Sequence, residues 1–306
     1  MVERTLVSML VTSALACSAA QAQTPNPPIL MGGELPPTSP GKIIFSDGFE
    51  EHDLGQAADI SNWKVAKSGS TATLTIEDKN PLCAECGKYL RTFATKKDQT
   101  VYRVEYAYAG EPSNDEMVSL GGGDYRGSQT YWYGYLMSLD QYPANDERIH
   151  LIQMWMKLGP PPQDQATNPQ VSLMANAEGY RVNIEDNDDL NGNFKTAIGP
   201  NSLFGKCKQY IFKVNADTRT IAEGSTGELG IWVDGVSIYS HVNKQTMQDK
   251  QAGLHHDFRI GGYLSGWRFE PSSENGQAYE ARWDNWTVMD GTGSLAAMQQ
   301  AVGTCN

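Results

Sequence analysis

Ten short segments with strand-like composition dominate this chain, and polar turn clusters separate them. The segments are rich in β-branched and aromatic residues, whereas clusters such as DNDDLNGN at 186–193 favour turns. Amphipathic helices are nearly absent, the exception being SLAAMQQAV at 294–302. Many strands joined by polar turns predict an all-β fold, a single antiparallel β-sandwich with a concave groove on one sheet.

The N-terminus has the pattern of a secretory signal peptide over residues 1–22. Arg4 is followed by a mostly apolar run, and Ala20-Gln21-Ala22 is an A-x-A cleavage site. A lipoprotein signal acylated at Cys17 stays open as an alternative. The pattern predicts a secreted or periplasmic protein, and no later segment is long and apolar enough to span a membrane.

Two regions follow the predicted signal. Residues 23–41 are rich in proline and glycine and predict a tether, and residues 42–306 predict one domain. The formal net charge of the whole chain is −12, which counts against nucleic acid, anionic membranes and highly sulfated substrates as partners.

Four cysteines remain after the predicted signal. An even number in an exported chain favours disulfides, and we expect Cys83–Cys86 and Cys207–Cys305. Four cysteines allow three connectivities. Half a zinc site at the CAEC motif is a weaker alternative, because no second CxxC or histidine pair accompanies it.

Several strand-like segments carry polar residues at every second position, which predicts a polar face on one sheet. A mixture of guanidinium, amide and aromatic groups suits the binding of an acidic sugar. The alternative is an ordinary solvated sheet surface. The expected members of the face are Arg103, Glu105, Gln153, Trp155, Lys157, Arg181, Asn183, Arg259 and Tyr263.

Short motifs in the same order resemble those of secreted polysaccharide lyases of the heparin-lyase-I-like and alginate-lyase-like group. The matching stretches are FSDGFE, RVEYAY, YWYGYLMSL through IQMWMK, GELGIWVDGVSIYS and YEARWDNWTV. The resemblance covers most of residues 43–290. It implies a β-jelly roll of the concanavalin-like type and β-elimination on a uronic-acid polysaccharide.

The resemblance also implies catalytic roles. Arg103 and Gln153 match the family's arginine and glutamine, and Glu105 matches the arginine's partner. The family's histidine position is held by Trp155. His150 has the opposite parity to Gln153, so an unbroken strand would point it into the core.

We therefore expect a tyrosine base, either Tyr133 or, preferably, Tyr263. A phenol can act in this way only if neighbouring positive charge lowers its pKa.

Three carboxylates resemble a structural calcium site where the first and last strands of such sandwiches meet. Asp47 and Glu50 lie in FSDGFE and Asp284 lies in WDNW, and calcium prefers oxygen ligands. The alternative is a turn at Asp47-Gly48 and a surface position for Asp284.

The favoured function is a secreted, monomeric lyase that cleaves an acidic polysaccharide. A non-catalytic carbohydrate-binding protein on the same fold is the alternative. A glycoside hydrolase ranks third, because no carboxylate pair stands out on one strand face.

Overall fold

The computed structural model contains sixteen strands and one helix among the residues that it describes. The described residues are 41–58, 63–83, 86–96, 103–108, 126–142, 149–158, 171–176, 178–184, 194–200, 204–217, 219–243, 246, 254–264 and 277–305. All of them belong to one compact unit, Thr38–Asn306. The predicted signal peptide and nearly all of the predicted tether lie outside these residues.

The strands range from 2 to 16 residues in length. Their bounds are Ile43–Asp47 (β1), Gly55–Gln56 (β2), Trp63–Lys67 (β3), Thr73–Asp78 (β4), Lys88–Thr95 (β5), Arg103–Tyr108 (β6), Arg126–Gln141 (β7), Ile149–Leu158 (β8), Val171–Asn176 (β9), Gly179–Ile184 (β10), Phe194–Pro200 (β11), Lys208–Asp217 (β12), Glu228–Val233 (β13), Val236–Val242 (β14), Leu254–Leu264 (β15) and Ala278–Asp290 (β16). The helix, α1, is Leu295–Val302.

These strands form two antiparallel sheets, which confirms the predicted β-sandwich. The nine-stranded sheet has the order β14-β13-β12-β7-β16-β5-β4-β2, with β1 paired to β16. The seven-stranded sheet has the order β11-β10-β9-β8-β15-β6-β3. The hairpin between β13 and β14 turns at Asp234-Gly235, as predicted, with φ of 48° and 77° at these two residues.

The core lies between the sheets and is rich in large aromatic side chains. The Tyr135 ring is stacked on the Tyr210 and Trp286 rings, with centroids 5.4 and 5.5 Å away. From the seven-stranded sheet, Tyr106 and Ile152 enter the same cluster. Each such buried side chain contributes about 1.5–3 kcal/mol, so this core is the main source of stability.

A second, smaller apolar cluster fastens the C-terminal helix to the nine-stranded sheet. Ser294 caps α1 by accepting a hydrogen bond from the backbone N–H of Ala297. Met298 and Val302 are buried against Trp132 and neighbouring residues of the sheet.

Two disulfides hold loops and the tail around this cluster. Cys83–Cys86 and Cys207–Cys305 form as expected from the sequence. The second bridge joins residues 98 positions apart and fixes the end of the chain beside β12. Closing a loop of that size stabilises a fold by about 4–5 kcal/mol in the chain-entropy account. Within the described part of the chain, no helix has the length and apolarity needed to cross a membrane.

Candidate active site

Mostly polar residues form two cross-strand rows on the seven-stranded sheet, on the face turned away from the core. Directly paired residues of antiparallel strands share a face, so the strand register defines each row. The His150 row comprises Arg181, Met174, His150, Tyr263 and Arg103, on β10, β9, β8, β15 and β6. The Gln153 row comprises Asn183, Ser172, Gln153, Arg259 and Ala107, on the same five strands.

A bulge in β8 places His150 and Gln153 on the same face. The pairing of β8 with β9 shifts register between His150 and Ile152. Leu151 and Ile152 are both buried in the core, although they are consecutive. The expectation that His150 points into the core is therefore wrong, because it assumed an unbroken strand. A bulge adds one residue and reverses the alternation beyond it.

β15 pairs with the other edge of β8. Two of its glycines accommodate an irregularity that matches the bulge in β8. Gly261 has a φ of +126°, and a Cβ there would lie 2.3 Å from the carbonyl oxygen of Val104 on β6. A Cβ on Gly262 would lie 2.7 Å from the Tyr279 ring of the opposite sheet. Only glycine fits both positions, and this lets β15 bring Tyr263 opposite both His150 and Arg103.

The side chains of the His150 row are in mutual contact. The His150 and Tyr263 ring centroids are 5.7 Å apart, at an interplanar angle of 59°. The Arg103 guanidinium lies over the Tyr263 ring, with its Cζ 5.2 Å from the ring centroid. His150 Nδ1 is 3.2 Å from the hydroxyl oxygen of Ser172. The row thus combines an imidazole, a phenol and a guanidinium.

Glu105 lies between the two rows and holds two guanidinium groups. It is paired with Gly261 and buried. Its Oε2 is 3.0 Å from Arg103 Nε and 3.8 Å from Arg259 Nη1. Gln153, directly opposite Arg259, is fully buried. An amide and two guanidiniums at one place can bind a carboxylate and stabilise the negative charge that develops on it.

Among the described side chains of this face guanidinium groups outnumber carboxylates, although the whole chain is acidic. Arg103 and Arg259 share Glu105, and Arg181 forms an ion pair with Glu178, whose side chain is 69% exposed. The side chains of Trp155, Lys157 and Asn183 lie outside the described part of the structure. Their strand positions are described, with Trp155 opposite Asp257 on β15 and Lys157 opposite His255. Asn183 pairs with Ser172.

Tyr133 lies elsewhere, which corrects its expected place near the catalytic centre. It belongs to β7 of the nine-stranded sheet and is buried in the core beside Tyr131 and Trp286. Burial raises the pKa of its phenol well above the ordinary value. A phenol in this position cannot reach a substrate on the polar face.

The three carboxylates of the expected calcium site lie near one another but are engaged with protein donors. Asp47 accepts hydrogen bonds from the Phe49 N–H at 2.7 Å and from the indole of Trp63 at 2.7 Å. Glu50 Oε1 accepts from the N–H groups of Gly87 and Lys88.

Asp284, the third, is buried and accepts a hydrogen bond from the Asn80 amide at 2.6 Å. Burial, with the nearby charges of Glu50 and Asp47, raises the pKa of Asp284 to about 7. No group of three metal-ligating side chains converges within the described ranges. Calcium binding at these three carboxylates stays a prediction. A rise in Tm on replacing EDTA with calcium, lost in Asp284→Asn, would establish it.

Two residues of the site, His150 and Ser172, escaped the sequence reasoning. One signal could have located the histidine, since the consecutive apolar residues Leu151 and Ile152 interrupt the alternation of β8. Nothing in the sequence around Ser172 marks it, because its role depends on the pairing of β9 with β8.

Comparison with solved structures supports the jelly-roll sandwich. The fold is similar to that of an endo-β-1,4-glucuronan lyase from the fungus Trichoderma reesei, with a TM-score of 0.54 and 12% identity, over 84% of this chain and 98% of that one. A family 7 alginate lyase in complex with substrate gives 0.49 and 12%, over 78% and 96%. The cellulose-induced protein Cip1 gives 0.47 and 9%, over 80% and 96%.

No protein-family model and no curated protein matches the sequence. The likeness to the glucuronan lyase shows the fold, and the heparin-lyase-I-like part of the resemblance finds no support in it.

Proposed function

We propose that this protein is a polysaccharide lyase that cleaves an unsulfated polyuronate by β-elimination on the polar face of the seven-stranded sheet. The observation that carries the proposal is the meeting of His150, Tyr263, Arg103 and Gln153 on one face. β-Elimination needs a group that stabilises the uronate carboxylate, a base for the proton at C5 and an acid for the leaving oxygen.

Each requirement has a candidate. Gln153 and Arg103 bind the carboxylate and stabilise the negative charge that builds up on it as the proton at C5 is removed. The His150 imidazole takes that proton, the C4–O4 bond breaks and the C4–C5 double bond forms. Tyr263, in contact with His150, donates its hydroxyl proton to the departing O4. The base is thus His150, and Tyr263 serves as the acid rather than as the base expected from the sequence.

The spacing of the cations favours a polymeric anion as substrate. Arg181 and Arg103 stand at opposite ends of the His150 row, four strand spacings apart. At about 4.8 Å for each spacing, this separation is roughly 19 Å. Two guanidiniums at that distance suit separate carboxylates of one chain better than a single small acid.

The alternative of a non-catalytic binding protein loses its main argument. That argument was the missing histidine, and His150 lies on the polar face beside Tyr263. Export of the chain belongs to the same proposal and is supported by the two disulfides, which form in oxidising compartments.

The test is a lyase assay on glucuronan, polymannuronate and polyguluronate, followed by the ultraviolet absorbance of the unsaturated uronate product. We expect product from at least one polymer, and we expect Gln153→Ala to lower kcat by about 100-fold or more without unfolding the protein. Tyr263→Phe should lower kcat while leaving oligosaccharide binding nearly intact. Tyr131→Phe, on the other sheet, is the matched control and should retain parent activity.

Binding without product from any of the polymers would instead establish the carbohydrate-binding function. Equal activity of Gln153→Ala and the parent would remove Gln153 from the mechanism.

A further inference from the structure

We propose that Arg181 binds a substrate carboxylate at a subsite remote from the scissile bond, and that Glu178 pairs with the guanidinium until the polymer displaces it. The inference deepens the proposed function and rests on it for the identity of the ligand, a polyuronate. Its consequence is that affinity rises with the length of the sugar chain, so that long polymers are preferred to short fragments.

Arg181 stands at the far end of the His150 row, on the polar face. Tyr180 and Val182, its neighbours on β10, are buried in the core, so the Arg181 side chain points the other way. Two strand spacings separate it from His150, a distance of roughly 10 Å. Because a 1,4-linked pyranose residue advances its chain by about one such spacing, a polymer lying along the row brings a carboxylate to Arg181 about two residues from the sugar at His150.

The guanidinium of Arg181 has donors to spare. Its side chain is 28% exposed, and it forms an ion pair with Glu178. Met174 and Ala197, which pair with Arg181 across the sheet, carry no charge. Arg181 Nε is buried and makes no hydrogen bond within the described part of the chain. A guanidinium offers five N–H donors in a planar fork, so Arg181 can bind a further carboxylate.

Glu178 is an exchangeable partner, in contrast to the carboxylate at the other end of the row. It lies in the turn between β9 and β10 and is 69% exposed, whereas Glu105, which pairs with Arg103, is 1% exposed. An exposed ion pair contributes little to stability, so replacing Glu178 by a substrate carboxylate costs little. Until it is displaced, the negative charge of Glu178 opposes the approach of that carboxylate.

Calorimetric titration with a trimer and an octamer of mannuronate and of glucuronate tests the inference, in a His150→Gln background that prevents cleavage. We expect the octamer to bind more tightly than the trimer. Arg181→Ala should weaken octamer binding by about 10-fold, as the loss of a charged hydrogen-bonded pair predicts, and should change trimer binding by less than about twofold. Glu178→Gln should strengthen octamer binding by about two- to fivefold, since it removes an exposed competitor.

A double variant separates local competition from a general change in charge. If Glu178 acts through Arg181, Glu178→Gln should have no effect in the Arg181→Ala variant, because both substitutions remove the same interaction. Glu228→Gln, which removes a carboxylate from an ion pair with Lys213 on the other sheet, is the matched control and should leave octamer binding unchanged.

Equal weakening of trimer and octamer binding in Arg181→Ala, unchanged octamer binding, or an octamer that does not bind to the background variant would overturn the subsite. Weaker octamer binding in Glu178→Gln would overturn the competing role of Glu178. If Arg181→Ala fails to fold, Glu178→Gln still decides, because the subsite predicts tighter binding of the octamer with trimer binding unchanged. Failure of the lyase proposal would show separately, as an absence of product from the parent with the length dependence of binding as expected.

Discussion

The outer faces of the two sheets use the same residue types in different arrangements. On the nine-stranded sheet, Arg91 donates to both carboxylate oxygens of Glu280, at 2.9 and 3.0 Å, and Arg282 pairs with Glu280 and Asp140. On the seven-stranded sheet, two arginines share the single carboxylate of Glu105.

The groups that accompany the two sets of charges also differ. The polar face of the seven-stranded sheet lies where β8 and β15 are bulged, and it includes a histidine and a buried amide. Arginines and carboxylates balance in the charge ladder of the nine-stranded sheet, which consists of Arg91, Glu280, Arg282 and Asp140. Such a ladder stabilises a surface. An excess of guanidinium beside an imidazole and an amide instead provides groups for a ligand. Five variants, compared across the two faces, test this contrast.

Replacing His150 should give the largest effect. We expect His150→Gln to lower kcat by about 1000-fold, since general-base catalysis contributes about 100- to 10,000-fold. Stability should change little, because His150 is only half-buried. Initial rates of product formation and urea unfolding measure the two quantities. Parent-like turnover would mean that another group removes the proton.

Matched arginine substitutions on the two faces should separate catalysis from stability. Lysine keeps the charge but cannot bind a carboxylate through two parallel hydrogen bonds. We expect Arg103→Lys to lower kcat/KM by about 10- to 100-fold and Arg91→Lys to leave it unchanged. Steady-state kinetics of both variants test the contrast, which fails if the two lose activity equally.

Trp155 tests how far the binding surface extends along β8. Its parity with Gln153 predicts that it stacks on a sugar ring, so Trp155→Ala should weaken oligosaccharide binding by roughly 1–3 kcal/mol. Calorimetric titration of an inactive variant, with and without this substitution, measures the difference. Unchanged affinity would end the assignment of Trp155 to the binding surface.

Replacing Glu280 in the charge ladder of the nine-stranded sheet should give the smallest effect, and only on stability. The pKa of Glu280 lies below its ordinary value of 4.5, chiefly because Arg91 donates hydrogen bonds to it. A lowered carboxyl pKa stabilises the fold above pH 4.5, and this contribution is lost as the pH falls through the folded-state pKa. We expect Glu280→Gln to cost about 1 kcal/mol at neutral pH, since Arg91 is partly exposed.

The cost should shrink as the pH falls through the folded-state pKa of Glu280, because the carboxyl then becomes protonated in the parent as well. Urea unfolding at a series of pH values below 4.5 checks this, and activity at neutral pH should be unaffected. A loss that persisted in acid would assign the stabilisation to packing rather than to the ion pair.

Much of the fold could be predicted from the sequence, because the determining signals are local. Strand-like composition and alternation predicted most of the strands of both sheets, Asp234-Gly235 predicted a hairpin turn, and the amphipathic segment near the end of the chain predicted its one described helix. The disulfide partners followed from the count of cysteines and the expectation of export. The site was only partly predictable. Parity grouped Arg103 with Glu105 and Arg259 with Tyr263, and it failed for His150, beyond a bulge. The expected place of Tyr133 near the catalytic centre was wrong because its side chain enters the core.

The sequence by itself determined that this chain forms a β-sandwich with a polar face, since a period of two residues is written into each strand. Only the tertiary structure decided which strands lie side by side, and therefore that Ser172, His150, Tyr263 and Arg103 meet. The physical reason is that a bulge depends on the register of neighbouring strands and on the space between backbones, as at Gly261 and Gly262. Those quantities arise from pairing over long distances in the chain, and no single segment contains them.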